Sequence, residues 1–109
     1  MKDPVVLRRR YPSYNEIQGL DRKKAVAEAV AKVRAAFPNK IYKRIIGASL
    51  YINGELAEKN VGGTLEMLRF FGKALFDEPG VHHVVLDAKS MRIVIELLPS
   101  GILSFKVTR

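Results

Sequence analysis

The sequence predicts an α/β sandwich of the α+β type, with helices packed on one five-stranded antiparallel sheet in the order α-β-β-α-β-β-β. Three observations carry that prediction. Ile45 to Ile52 is an apolar run of strand length, closed by Asn53-Gly54, the preferred two-residue hairpin turn because both central residues take positive φ. Two segments, one from Asp21 to Phe37 and one within Gly62 to Pro79, repeat apolar residues with helical spacing. After the second, three short alternating runs are separated by turn residues.

Residues 1–19 read as a basic arm ahead of a domain spanning 20–109. Pro4 and Pro12 bracket Val5-Val6-Leu7 and the run Arg8-Arg9-Arg10. Ser13-Tyr14-Asn15-Glu16 has the form of a capping box, and Gly19 weakens any helix continuing through it. The first full helix is expected to start at Asp21, a good N-cap. Val26, Val30, Val33 and Phe37 share one of its faces, flanked by Ala25, Ala29 and Ala36, small enough for close packing on a sheet. Pro38 ends it, because proline biases the preceding residue away from helical geometry.

In the hairpin, a two-residue loop pairs Ile52 with Glu55, Leu50 with Ala57 and Ala48 with Lys59. Ile46, Ala48, Leu50 and Ile52 line one face; Ile45, Gly47, Ser49 and Tyr51 line the other. Both faces are partly apolar, so this strand is expected to be central and covered on both sides. Gly62-Gly63 is expected to be a flexible connector, since it lies in neither phosphate-binding glycine motif. Thr64 is a plausible N-cap for the second helix, and Pro79-Gly80 stops it.

That second helix is unusually apolar. Leu65, Met67, Leu68, Phe70, Phe71, Ala74, Leu75 and Phe76 cover roughly two-thirds of its wheel, whereas a helix on one sheet needs an apolar stripe only somewhat wider than about 100°. Glu66, Arg69, Lys73 and Asp77 share the remaining arc. The surplus calls for a second burial partner, most simply another chain. The strands that follow are Val81 to Asp87, Met91 to Leu98, and Ile102 to Arg109.

Composition bounds the function. At 109 residues, with 48% hydrophobic and 28% charged residues, the chain has the make-up of one soluble globular domain. It contains no apolar run of about 18 residues that would span a membrane. Met1 to Arg10 lacks the apolar core and cleavage site of a signal peptide. The absence of cysteine excludes disulfides and thiolate zinc sites. A cytoplasmic protein is expected, and few Asn and Gln beside many Lys, Arg and Glu lean toward a thermophilic source. The net charge of +8 gathers near the start, at Arg8, Arg9, Arg10, Arg22, Lys23, Lys24, Lys32 and Arg34. A solvated helix face explains it; an acidic protein, a nucleic acid or an anionic membrane surface are the functional alternatives.

No catalytic pattern emerges. His82 and His83 are neighbours on an expected strand and point to opposite faces, so they cannot jointly hold one metal. Asp77-Glu78 sits at a helix end, Glu55 and Glu58 lie on the hairpin, and the serines have no placed base. Neither an aromatic RNP-like run nor a GXXG loop is present. The chain reads as a binding protein without cofactor or metal.

The element order, and the run Ile45-Ile46-Gly47-Ala48-Ser49-Leu50-Tyr51-Ile52-Asn53-Gly54-Glu55-Leu56-Ala57-Glu58, resemble the Roadblock family of dynein-light-chain-like proteins. There a "GA-x-hydrophobic-x-x-x-G" hairpin is followed by a helix and three strands. The resemblance covers about residues 21 to 109. It implies a homo- or heterodimer in which the central helices pair and an edge strand joins two sheets, here Thr64 to Phe76 and Val81 to Asp87. Leu68, Phe71 and Leu75 would pair the helices, with His82, Val84 and Leu86 on the neighbouring edge strand. Glu66, Arg69 and Lys73 would stay exposed to meet a partner, which the family implies is a small Ras-like GTPase or a related regulatory protein. Many relatives have a helix after the last strand, where this sequence has none, and the resemblance gives the basic arm no role. The alternative is a nucleic-acid-binding module using Arg8, Arg9, Arg10, Lys23, Lys24 and Lys32. A small-molecule sensor of related architecture would need an internal pocket, which the bulky strand residues argue against.

Overall fold

Side-chain caps start both helices. The Asp21 carboxylate accepts from the Lys24 N–H at 3.2 Å and opens α1, Arg22–Ala36. The Thr64 hydroxyl accepts from the Met67 N–H at 3.2 Å and opens α2, Leu65–Leu75. Each satisfies an amide that the first helical turn leaves without a partner. Phe37 leaves helical geometry ahead of Pro38, and α2 closes through a tighter turn from Phe76 to Glu78. The computed structural model describes residues 20–38 and 45–109; the basic arm, the Ser13–Glu16 capping box and Tyr42 lie outside them.

The strands are β1 (Ile45–Ile52), β2 (Glu55–Gly63), β3 (His83–Asp87), β4 (Arg92–Leu97) and β5 (Leu103–Thr108). They form one antiparallel sheet in the order β2-β1-β3-β4-β5. Fold class and element order are therefore as predicted. The hairpin turn also matches, with φ of 53° at Asn53 and 86° at Gly54, and Ile52 opposite Glu55.

Further along the hairpin the register departs from expectation. Leu50 lies opposite Glu58, not Ala57, and Ala48 opposite Val61, not Lys59. Two irregularities each add a residue on the β2 side, a third between Ile45 and Ala48 adds one on the β1 side, and Asn60 in that stretch has a φ of 60°. The strand then continues through Gly62 and Gly63, which are buried and belong to β2; the expected flexible connector is not there.

Both helices lie on one face of the sheet and touch each other, so the described residues form two layers. The core joins Ala25, Val26, Ala29 and Val33 of α1 to Met67, Leu68, Phe71 and Leu75 of α2. The sheet supplies Leu50 and Ile52 from β1, Val84 and Leu86 from β3, and Ile93 and Ile95 from β4. Burying each large aliphatic side chain contributes about 1.5–3 kcal/mol. Gly72 lets α2 approach closely: a Cβ there would overlap Ile95 Cδ1. The opposite sheet face, carrying Ser49, Tyr51, Val85 and Val94, has no helix on it among the described residues, as is common for antiparallel sheets. Val85 on that face is nonetheless buried, at 6% exposure, and Ser49, Tyr51 and Val94 are half-buried, while β1 is an inner strand as expected.

Candidate interaction surfaces

Most of the apolar surface of α2 is buried within the chain. Leu68, Phe71 and Leu75, expected to pair with a second helix, are 2%, 4% and 0% exposed and face the sheet. They are core residues and form no pairing seam. Phe70, on the flank of α2, meets Phe37 edge-on, with ring centroids 5.7 Å apart and an interplanar angle of 80°. Phe37, at the end of the first helix, thus covers part of the surface that the sequence assigned to another chain, and Phe70 stays 36% exposed. The periodicity of the first helix was visible in sequence; that it would lie beside α2 was not.

The second correction concerns β3. It was expected at an edge, but it is bonded to β1 on one side and β4 on the other, so it has no free edge to offer. Val84 and Leu86 are buried beneath the helices. His82 precedes the strand and is half-buried; its N–H donates to the Asn53 side-chain oxygen at 2.9 Å. Partial burial, and then the neighbouring His83, push the His82 imidazole below its ordinary value. The His83 Nε2 lies 3.7 Å from a Glu96 carboxylate oxygen. Among the described residues no cluster of three or more His, Asp or Glu could hold a metal ion.

Glu66, Arg69 and Lys73 are exposed on the outer face of α2. The structure brings them into one ridge at successive helical turns. Arg69 is anchored, with its guanidinium carbon 5.1 Å from the centre of the Phe105 ring on β5. That contact gives the ridge a fixed cation beside the last strand. Leu103 and Phe105 there are half-buried and Val107 is 37% exposed. The alternation of β5 was legible in the sequence; that its apolar row would lie beyond the helix layer required the strand order.

Of the basic residues, Arg8, Arg9 and Arg10 lie outside the described part. Lys23 and Lys24 are exposed on α1, whereas Lys32 forms an ion pair with Asp77. Arg22 likewise pairs with Glu55, tying α1 to the hairpin. Such exposed pairs contribute little, about 0–1 kcal/mol.

A half-open cleft of about 430 Å³ lies between α1, the start of α2 and the far half of β2. Val26, Val30, Met67 and Phe71 line its apolar wall, and the exposed Arg34, Glu58 and Lys59 stand at its mouth. It avoids the strand interior that the bulky residues fill. No helix of the described residues is long and apolar enough to cross a membrane. Comparison with known protein families, with curated proteins and with solved structures finds no match to this chain.

Proposed function

We propose that this chain is a non-enzymatic scaffold that associates with a second copy or a paralogue and presents the outer ridge of α2 to a regulatory protein. The observation that carries this is the exposed row Glu66, Arg69 and Lys73 beside β5, with Arg69 held over Phe105. A fixed cation flanked by further charges on a rigid helix suits recognition of a protein surface, because little side-chain freedom is lost on binding. The class of partner follows from the resemblance to the Roadblock family and is a small Ras-like GTPase or a related regulator.

The test is binding of the full chain to a panel of purified small GTPases, each loaded with GDP or with a non-hydrolysable GTP analogue. Arg69→Glu should lower the affinity of any partner found by at least about tenfold, as expected for reversing an anchored interface charge. Loss of no binding on that change would remove the ridge from the interface. The nucleic-acid alternative draws on Arg8, Arg9, Arg10, Lys23, Lys24 and Lys32, the last of which also pairs with Asp77. A labelled oligonucleotide bound with affinity falling steeply in salt would favour it.

A further inference from the structure

The two edges of the sheet differ in how they are protected. Edge strand β2 is irregular against β1, places Asn60 at positive φ, and exposes Glu55, Glu58 and Lys59. These features blunt an edge against pairing. Strand β5 has none of them. Its register with β4 runs unbroken from Arg92↔Thr108 to Leu97↔Leu103, and it contains no proline and one charge, Lys106.

The direction of its free backbone groups can be fixed. The Leu98 N–H donates to the Ile102 carbonyl at 2.9 Å, just before the strands. Hydrogen-bonded and non-bonded pairs alternate along an antiparallel ladder. Ser104, Lys106 and Thr108 therefore turn their backbone groups toward β4, and Leu103, Phe105 and Val107 turn theirs outward. The side chains of these same three residues lie on the helix side, where α2 packs over β3 and β4 and leaves the last strand incompletely covered. Among the described residues, donors and acceptors without a strand partner thus coincide with a half-exposed apolar row.

We propose that β5 pairs with β5 of a second copy, antiparallel about a two-fold axis at Phe105, joining two sheets into one. The proposal rests on the scaffold reading above and identifies its dimer surface. Centring on Phe105 sets Leu103 opposite the second copy's Val107, so all outward groups of the three residues find partners. Centring on Lys106 would oppose two ammonium groups, and centring on Ser104 would carry Val107 past the end of the facing strand. On the helix side an apolar row then runs from Ile95 through Phe105 to the same residues of the second copy. On the other side Ser104 faces the second copy's Lys106, with Glu96 next in the row. Lys106 thus faces a neutral hydroxyl and no like charge across the joint.

The experiment is light scattering on the full chain over a wide concentration range, at moderate salt to screen the +8 charge of each copy. The expected mass is twice 12.2 kDa. Val107→Pro removes an outward N–H without touching the β4 ladder, and should yield a monomer with an unchanged circular dichroism spectrum. Ser104 and Lys106, facing each other as a close non-bonded pair, should give a covalent dimer on oxidation when both are changed to cysteine (S104C with K106C). The natural chain has no cysteine, and a control Lys23→Cys should not cross-link so readily. A dimer that survives Val107→Pro and fails to cross-link would overturn this interface while leaving the scaffold reading intact. A monomer at every concentration would overturn both.

Discussion

The side-chain oxygen of Asn53 accepts the backbone N–H of His82 at 2.9 Å, fastening the β1–β2 turn to the loop that enters β3. The same oxygen accepts from the His83 N–H at 3.2 Å, and Asn53 Nδ2 donates to the Gly80 carbonyl at 2.8 Å. Its own N–H donates to the His83 carbonyl at 2.7 Å. One residue therefore serves two purposes: its positive φ makes the turn, and its carboxamide clamps a loop distant in sequence.

Asn53→Gly separates those purposes. Glycine keeps the positive φ at no steric cost but deletes the carboxamide and its contacts with Gly80, His82 and His83. Urea denaturation should show a loss of about 1–3 kcal/mol, the range for leaving part-buried groups without partners. A stability equal to that of the parent protein would mean water replaces the clamp.

Gly72→Ala should destabilise the protein although alanine favours helices. A gain of about 1 kcal/mol in propensity is opposed by about 1–3 kcal/mol of overpacking, because the new Cβ meets Ile95 Cδ1. Removing that methyl with Ile95→Val should make the double variant more stable than the sum of the single changes allows. A double-mutant cycle on denaturation midpoints measures the coupling; simple additivity would show that Ile95 turns aside freely.

Glu78 holds its proton above the ordinary value of 4.5, first because it shares a hydrogen bond with Glu28, then through burial and the Glu28 charge; Lys24 and Lys32 oppose the shift. A raised folded value means that folding is favoured by the proton. That contribution is present in acid below 4.5 and is lost as pH rises through the raised folded value. Glu78→Gln should flatten this slope and raise the melting temperature at neutral pH, where two carboxylates otherwise face each other. Melting curves across that pH range provide the check, and an unchanged slope would contradict the pairing.

His82 tilts stability the other way. Its folded value is depressed by partial burial and by His83, so its contribution is present above 6.5 and is lost as pH falls through the lower folded value. His82→Gln should shrink the decline in melting temperature on acidification below 6.5. The slope is the measured quantity, and a slope equal to that of the parent protein would place the titration elsewhere.

Local order was well encoded. Asp21 and Thr64 cap the helices as their positions suggested, Pro38 follows the end of α1, and Asn53-Gly54 makes the turn. Each depends on residues within a few positions of one another, where a cap's oxygen or a turn's φ leaves few alternatives. Gly62-Gly63 was misjudged because glycine commonly marks a connector, and the irregular β1–β2 pairing that carries the strand onward is a property of two chain segments together.

The candidate surface was less legible. Glu66, Arg69 and Lys73 were identifiable as the polar arc of α2, but the anchor for Arg69 comes from Phe105, on a strand joined to it only by folding. Leu68, Phe71 and Leu75 looked available because amphipathicity states how much surface a helix must bury and not what buries it.

Over the described residues the amino-acid order alone settles the kind and sequence of elements, since periodicity, capping and turn chemistry act over short range. Placing β3 between β1 and β4, and α1 against Phe70, belongs to the assembled molecule. Alternation marks which face of a strand is apolar and leaves its neighbours open. Those neighbours are chosen when all the elements compete to cover one another's apolar faces, and that competition leaves β5 at the edge.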